Sequence, residues 1–233
     1  MCGRYVSAKP ASELAAEFEV EEIKTDEQGP RYNVAPTDPV YAVATSKDGT
    51  RRLGTFRWGL VPFWAKDPKI ASRMINARVE TLAQKHRRTL SRRRCIIPAD
   101  GFYEWQPREG KRPKQPFYIH DKDGKPLAMA GLWEVWHDPD DPDAEPLRTC
   151  TIITTDANQV VARTHDRMPV ILPAERWDVW LDPSVDDLEL VQGLLVGDVP
   201  VRLEVYPVSN EVNSVKNDGE QLIIPLEGHD PEE

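Results

Sequence analysis

The sequence predicts an α+β fold: a single domain whose mainly antiparallel sheets form a curved or barrel-like core flanked by short helices. Three observations predict it. The apolar segments are numerous and strand-sized. Asp-Gly turn signals separate several of them. Short helical stretches fall between the hairpins, the arrangement of helices set against antiparallel sheet. The 233 residues, 39% hydrophobic with seven tryptophans, suffice to bury one substantial core. With no internal repeat and no separating linker, one domain is expected over residues 1–226, followed by an acidic flexible tail at 227–233.

The elements follow in chain order. A helix is expected over 11–19, after Pro10, because Leu14 and Phe18 stand at i,i+4 spacing. Strands over 40–45 and 50–58 flank Lys47-Asp48-Gly49, a hairpin signal. A helix is expected over 77–85, and Asn76 stands where its N-cap would fall. A strand covers 94–97. Strands over 117–120 and 127–136 flank Lys122-Asp123-Gly124, which reads as a second hairpin. Residues 137–146, rich in Asp and Pro, form an exposed loop. Strands at 148–154, 168–172 and 203–208 and helices at 158–163, 174–180 and 188–195 complete the reading.

Composition narrows the function. No apolar run reaches membrane-spanning length, and Met1-Cys2-Gly3-Arg4-Tyr5 lacks a signal-peptide core. A cytoplasmic protein with no membrane partner is expected. Three cysteines, without a secretion signal, argue against a disulfide framework. There is no Cys-x-x-Cys or His-x-x-x-His, so neither metal nor other cofactor is expected. Cys95 and Cys150 lie in apolar runs and read as buried strand cysteines. A net charge of −9 argues against a nucleic-acid partner, but the charge is unevenly placed. Residues 81–99 contain no acid and carry Lys85, Arg87, Arg88, Arg92, Arg93 and Arg94, while acids gather at 137–145 and 227–233. Such a chain can still present a positive face, or the run can be a solvated helix end and loop.

Five stretches carry potential chemistry. Removal of Met1 would leave Cys2 with an α-amine and a thiol on adjacent carbons. An amine condenses with an aldehyde to an imine, and the thiol can close onto the imine carbon as a five-membered thiazolidine. Only an N-terminal cysteine can do this; the plain alternative is an initiator-adjacent residue without a role. In the stretch 72–81, Asn76 is a cap candidate, and Arg73 and Arg78 can bind phosphate or pair with Glu80. In 98–105, Glu104 between aromatic residues is a candidate for a raised pKa and proton transfer, or a surface strand glutamate. His165, in Thr164-His165-Asp166-Arg167-Met168-Pro169, is suited to shuttle a proton near neutrality, or is structural. In 57–65, Trp58 is assigned to the core, and Trp64 can offer a stacking platform to an unpaired base.

Taken in order, the blocks Met1-Cys2-Gly3-Arg4-Tyr5, Tyr32-Asn33-Val34-Ala35-Pro36-Thr37, 57–64, 75–81, 93–105, Ala130-Gly131-Leu132-Trp133 and 164–170 resemble the SOS-response-associated peptidase family, whose members protect abasic sites in single-stranded DNA. The resemblance spans nearly the whole chain and is weakest after about Asn217. It implies that Cys2, exposed by loss of Met1, is the covalent residue forming a thiazolidine with the abasic aldehyde. It implies that Asn76 orients the adduct, that Glu104 moves protons and assists removal of Met1, and that His165 opens the sugar by donating a proton to its ring oxygen. Arg4, Arg78 and Arg167 correspond to phosphate-gripping positions. Trp64 and Trp105 correspond to residues that wedge or stack beside the lesion, and Pro36 to one lining the DNA channel. The basic run at 85–94 then becomes part of a positive channel, and the resemblance implies a monomer. Two other readings stay open: a cysteine hydrolase acting on peptides, and a non-catalytic reader of single strands.

Overall fold

The computed structural model describes residues 2–108, 111–197 and 201–226. Met1 and the anticipated tail at 227–233 lie outside the described residues. The fold is α+β, and its centre is a small closed barrel built from strands β4 (Pro39–Thr45), β5 (Arg51–Trp58), β7 (Arg94–Ala99), β10 (Leu127–Trp136) and β11 (Leu147–Asp156). Neighbours pair antiparallel in the order β11-β10-β7-β4-β5. The ring closes through a parallel pairing of β11 with β5, Thr149 opposite Arg57 and Cys150 opposite Trp58. Parallel closure follows from arithmetic: in an odd-numbered ring of alternating strands, the first and last run the same way.

Closure buries both faces of these strands, which is why they read as continuous apolar runs. One face, with Trp58, Cys95, Ile97, Met129, Cys150 and Ile152, joins a cluster that also holds Cys2, Tyr5 and Phe102. The other, with Val43, Leu53, Ile96, Ala130, Leu132 and Ile153, lies under the helices. Those helices include α1 (Ala11–Glu17), α2 (Leu82–Lys85), α3 (Arg87–Arg92), α4 (Trp177–Leu181) and α5 (Leu188–Gly193). Cys95 and Cys150 are buried free thiols, as expected. Gly131 belongs to the crowded face: a Cβ there would lie 2.9 Å from both Cys95 Sγ and Ile97 Cδ1.

A second, five-stranded sheet runs β13-β9-β8-β1-β3. Its strands are β1 (Tyr5–Ser7), β3 (Arg31–Val34), β8 (Gly101–Arg108), β9 (Lys111–Asp121) and β13 (Leu203–Pro207). The chain crosses from barrel to second sheet at Asp100, between β7 and β8. There the Asp100 carboxylate accepts from Ala8 N at 2.6 Å and Lys9 N at 3.3 Å, tying the crossover to the end of β1. The short strands β2 (Glu22–Lys24), β6 (Asn76–Arg78) and β12 (Arg167–Pro169) complete the set.

Several expectations need correction. The Lys122-Asp123-Gly124 turn exists, with Gly124 at φ +72°, but it does not close a hairpin. Strand β9 pairs with β8 and β13, whereas β10 pairs with β7 and β11. Both faces of β10 are apolar, so it needs barrel neighbours on either side. The expected helix over 77–85 begins as strand β6, followed by a 3-10 turn and only then α2. Asn76 is therefore a strand residue and not an N-cap. The helix over 158–163 shortens to a 3-10 turn, Val161–Arg163. The strands β1, β2, β3 and β8 were not anticipated; three of them are four residues or shorter, too brief for periodicity to register. The 47–49 hairpin joins β4 and β5 as expected.

The basic run at 85–94 is also not one surface. Arg94 is buried, and its guanidinium donates to Trp180 O, Leu90 O, Asp182 O and Val185 O. These carbonyls include helix-end groups of α3 and α4 that lack intrahelical partners. Burial lowers the Arg94 pKa to about 10. Arg93 pairs with buried Glu134, and Arg92 with Asp186.

Gly59, just after β5, has φ +126° and sits so close to the Pro68–Arg73 turn that a Cβ would lie 2.4 Å from Ala71 O. Gly59→Ala is expected to destabilise the fold by at least about 2 kcal/mol, since both the backbone and the contact are forbidden to alanine. Urea denaturation measures it; an unchanged midpoint contradicts the assignment.

Candidate active site

The site forms where the second sheet meets the barrel. Strand β1 pairs antiparallel with β8, Tyr5 opposite Phe102, and Tyr103 N donates to Arg4 O at 3.0 Å. That register carries the residues before Arg4 alongside Glu104. Cys2 is 0% exposed, packed in the cluster that contains Tyr5, Trp58 and Cys150. Strand β6 lies parallel to β11, with Asn76 opposite Ile152. Asn76 Nδ2 donates to the Cys2 carbonyl at 2.9 Å, while its Oδ1 is buried without a partner. The amide is thus fixed against the backbone of the cysteine by a single bond and retains an unused acceptor.

Glu104 points inward from β8 and is 2% exposed. Burial pushes its pKa from 4.5 to about 7. His165 comes from the loop before β12, and its Nε2 lies 3.9 Å from Glu104 Oε2. Nδ1 accepts from Arg167 N at 3.0 Å, which leaves the proton on Nε2, facing the carboxyl group. An oxygen of Asp166 also lies 2.8 Å from Nδ1, a contact that suits an imidazolium. The Asp166 side chain is 86% exposed, so water screens that attraction. Burial prevails and lowers the His165 pKa. The result is a neutral imidazole presenting N–H to a carboxyl group that exchanges its proton near neutral pH.

The Cys2 thiol is held in its protonated form. Burial raises its pKa far above the usual thiol range, and the Glu104 charge raises it further. Among the described residues, no hydrogen bond reaches Cys2 Sγ.

The structure therefore brings Cys2, Asn76, Glu104 and His165 together. The remaining candidates occupy more varied positions. Arg4 is partly buried, donating from Nη1 to Val212 O at 3.2 Å. Arg167 is turned inward to Glu80, Asp156 and Thr154 O. Arg78 is exposed, and Pro36 is partly exposed just after β3. Trp64 is 66% exposed. Trp105 is partly buried, with Nε1 donating to Asn213 Oδ1 at 2.6 Å. Asn33 was given no role, yet its buried Nδ2 lies within hydrogen-bond distance of Val212 O, Ser214 O and Asn217 O. It straps the 212–217 segment behind Arg4. Its place in the Tyr32-Asn33-Val34-Ala35-Pro36 block was the one available signal.

Fold and site together define a barrel-centred α+β protein with a buried cysteine at its second position, backed by an amide and faced by a carboxyl–imidazole proton pair. The chain belongs to the SOS response associated peptidase (SRAP) family, whose profile matches residues 1–215. It is 44% identical over 227 residues to the abasic site processing protein YoqW of Bacillus subtilis, covering 96% of this chain and 99% of the relative. It is 34% identical over 234 residues to the abasic site processing protein YedK of Escherichia coli, covering 97% and 100%. A solved protein from Bacteroides thetaiotaomicron superposes with a TM-score of 0.80 at 30% identity, covering 97% of this chain and 100% of that one.

Proposed function

We propose that this protein recognises abasic sites in single-stranded DNA and joins them covalently through Cys2 after Met1 is removed. The observation that carries the reading is the convergence of the Glu104–His165 pair and Asn76 on Cys2. An abasic sugar is mostly a closed hemiacetal, so a proton must reach the ring oxygen before an aldehyde exists. His165 is the donor in its imidazolium form, the minor form at neutral pH because burial lowers its pKa, and it recovers the proton released by the hemiacetal hydroxyl as the ring opens. Glu104, ionising near pH 7, accepts a proton as the Cys2 amine attacks and returns one as water leaves the carbinolamine. The thiol then adds across the imine, its proton passing to nitrogen, and a thiazolidine results. The net change is loss of one water. The names of the relatives point the same way, since they are abasic site processing proteins.

In this reading Arg78, which is exposed, meets phosphate directly, and Trp64, also exposed, stacks on a base. Arg167 would have to exchange Glu80 or Asp156 for a phosphate oxygen. The reading places the protein in the cytoplasm, acting as a monomer on replicating DNA. A thiolate peptidase is disfavoured, because such a nucleophile needs a lowered pKa and burial does the opposite here.

Intact-protein mass spectrometry after incubation with an abasic single-stranded oligonucleotide tests the reading. The expected species is the protein lacking Met1 plus the oligonucleotide less one water. Recovery of unmodified protein alone would refute it, and so would an adduct on protein that retains Met1.

A further inference from the structure

We infer that Phe63 and Arg88 form a second stacking subsite for an unpaired base, beside Trp64; this rests on the reading that the ligand is single-stranded DNA. Phe63 is 54% exposed on a turn that is otherwise firmly anchored. Val61 N donates to Thr149 Oγ1 at 3.0 Å, Ala65 N to Pro62 O at 2.9 Å, and Trp136 Nε1 to Ala65 O at 2.7 Å. Val61 and Ala65 are buried with Ala71 and Trp136. The turn thus pins Val61 and Ala65 inward and holds two of the three residues between them, Phe63 and Trp64, out in water.

One face of the Phe63 ring is already occupied. The Arg88 guanidinium carbon stands 4.0 Å from the ring centroid. Arg88 is itself exposed and, among the described residues, makes no ion pair, whereas Arg92 and Arg93 in the same run are neutralised by Asp186 and Glu134. The ring therefore has a free face and an un-neutralised cation behind it. A base stacking on that face gains contact at little ordering cost, and the guanidinium can meet the adjoining phosphate. The turn is tied to the site: Leu60 N donates to Met74 O at 3.0 Å and Trp58 Nε1 to Ile75 O at 2.9 Å, immediately before Asn76. A strand entering the site can pass over it.

Fluorescence anisotropy with a lesion-free single-stranded oligonucleotide, over a salt series, tests the subsite. F63A and F63L are both expected to weaken binding about tenfold, and F63W to restore it, as stacking requires. R88Q is expected to flatten the dependence of log K on log salt by about 0.7, the loss of one phosphate contact to a single strand. F63L binding as tightly as the parent would overturn the proposal, reducing Phe63 to an apolar staple on α3. Covalent capture is read separately by mass spectrometry on the parent protein. Failure there with F63A still weakening intact-strand binding would refute the cross-linking reading and leave the subsite standing.

Discussion

Cys2→Ala is expected to remove the denaturation-resistant DNA adduct, reducing its yield by at least about 100-fold. The variant keeps an α-amine once Met1 is lost, so it can still form an imine. An imine in water hydrolyses, because nothing follows it. The thiol changes that by attacking the same carbon within one molecule, where effective concentrations reach about 10⁵ M or more for well-placed groups. Borohydride reduction should therefore recover an amine-linked adduct from Cys2→Ala, while heating in denaturant without reduction should leave none. Losing a buried sulfur costs the fold on the order of 1 kcal/mol, too little to explain the loss of adduct. An adduct of parental yield and stability on gel electrophoresis would remove Cys2 from the mechanism.

Glu104→Gln is expected to abolish most of the reaction rate and stabilise the protein. The carboxyl group is 2% exposed, and burial raises its pKa from 4.5 to about 7. A carboxyl group with a raised folded pKa opposes folding once the unfolded chain can ionise. The cost is absent below about pH 4, grows between pH 4.5 and 7, and is complete above pH 7. At 1.36 kcal/mol per unit it reaches about 3 kcal/mol. Glutamine cannot ionise, so the variant should match the parent near pH 4 and exceed it in denaturant titrations at pH 8. The adduct-forming rate of the parent should turn over near pH 7. In Glu104→Gln it should lose that inflection and fall roughly 10²- to 10⁴-fold, the range of general acid–base catalysis. A variant less stable than its parent at pH 8, or an unshifted rate profile, would contradict the assignment. A residue that costs stability where it sits is retained for its chemistry.

The site was more legible than the fold's connections. Cys2, Glu104 and His165 are residues whose chemistry is intrinsic, and the ordered blocks around them marked the family. Their distances could not be read, because they lie just before β1, on β8 and in the loop before β12, which come together only when β1 pairs with β8 and that sheet packs against the barrel. Asn76 shows the difference: local chemistry fits a helix cap, but the tertiary structure uses the same amide on the Cys2 carbonyl. Arg94 shows it again, an arginine in a basic run that two helices, α3 and α4, and the loop after α4 enclose.

Sequence alone determined the class of fold, the 47–49 hairpin, the buried Cys95 and Cys150, and which side chains could do covalent and proton chemistry. These depend on turn residues, periodicity and functional groups, which are local properties. Only the tertiary structure decided the parallel closure of β11 on β5, the parting of β9 from β10 into different sheets, and the protonation of Glu104 and Cys2. Each of these is set by which distant strands exclude water from a given group, and that exclusion is a property of the assembled barrel and sheet.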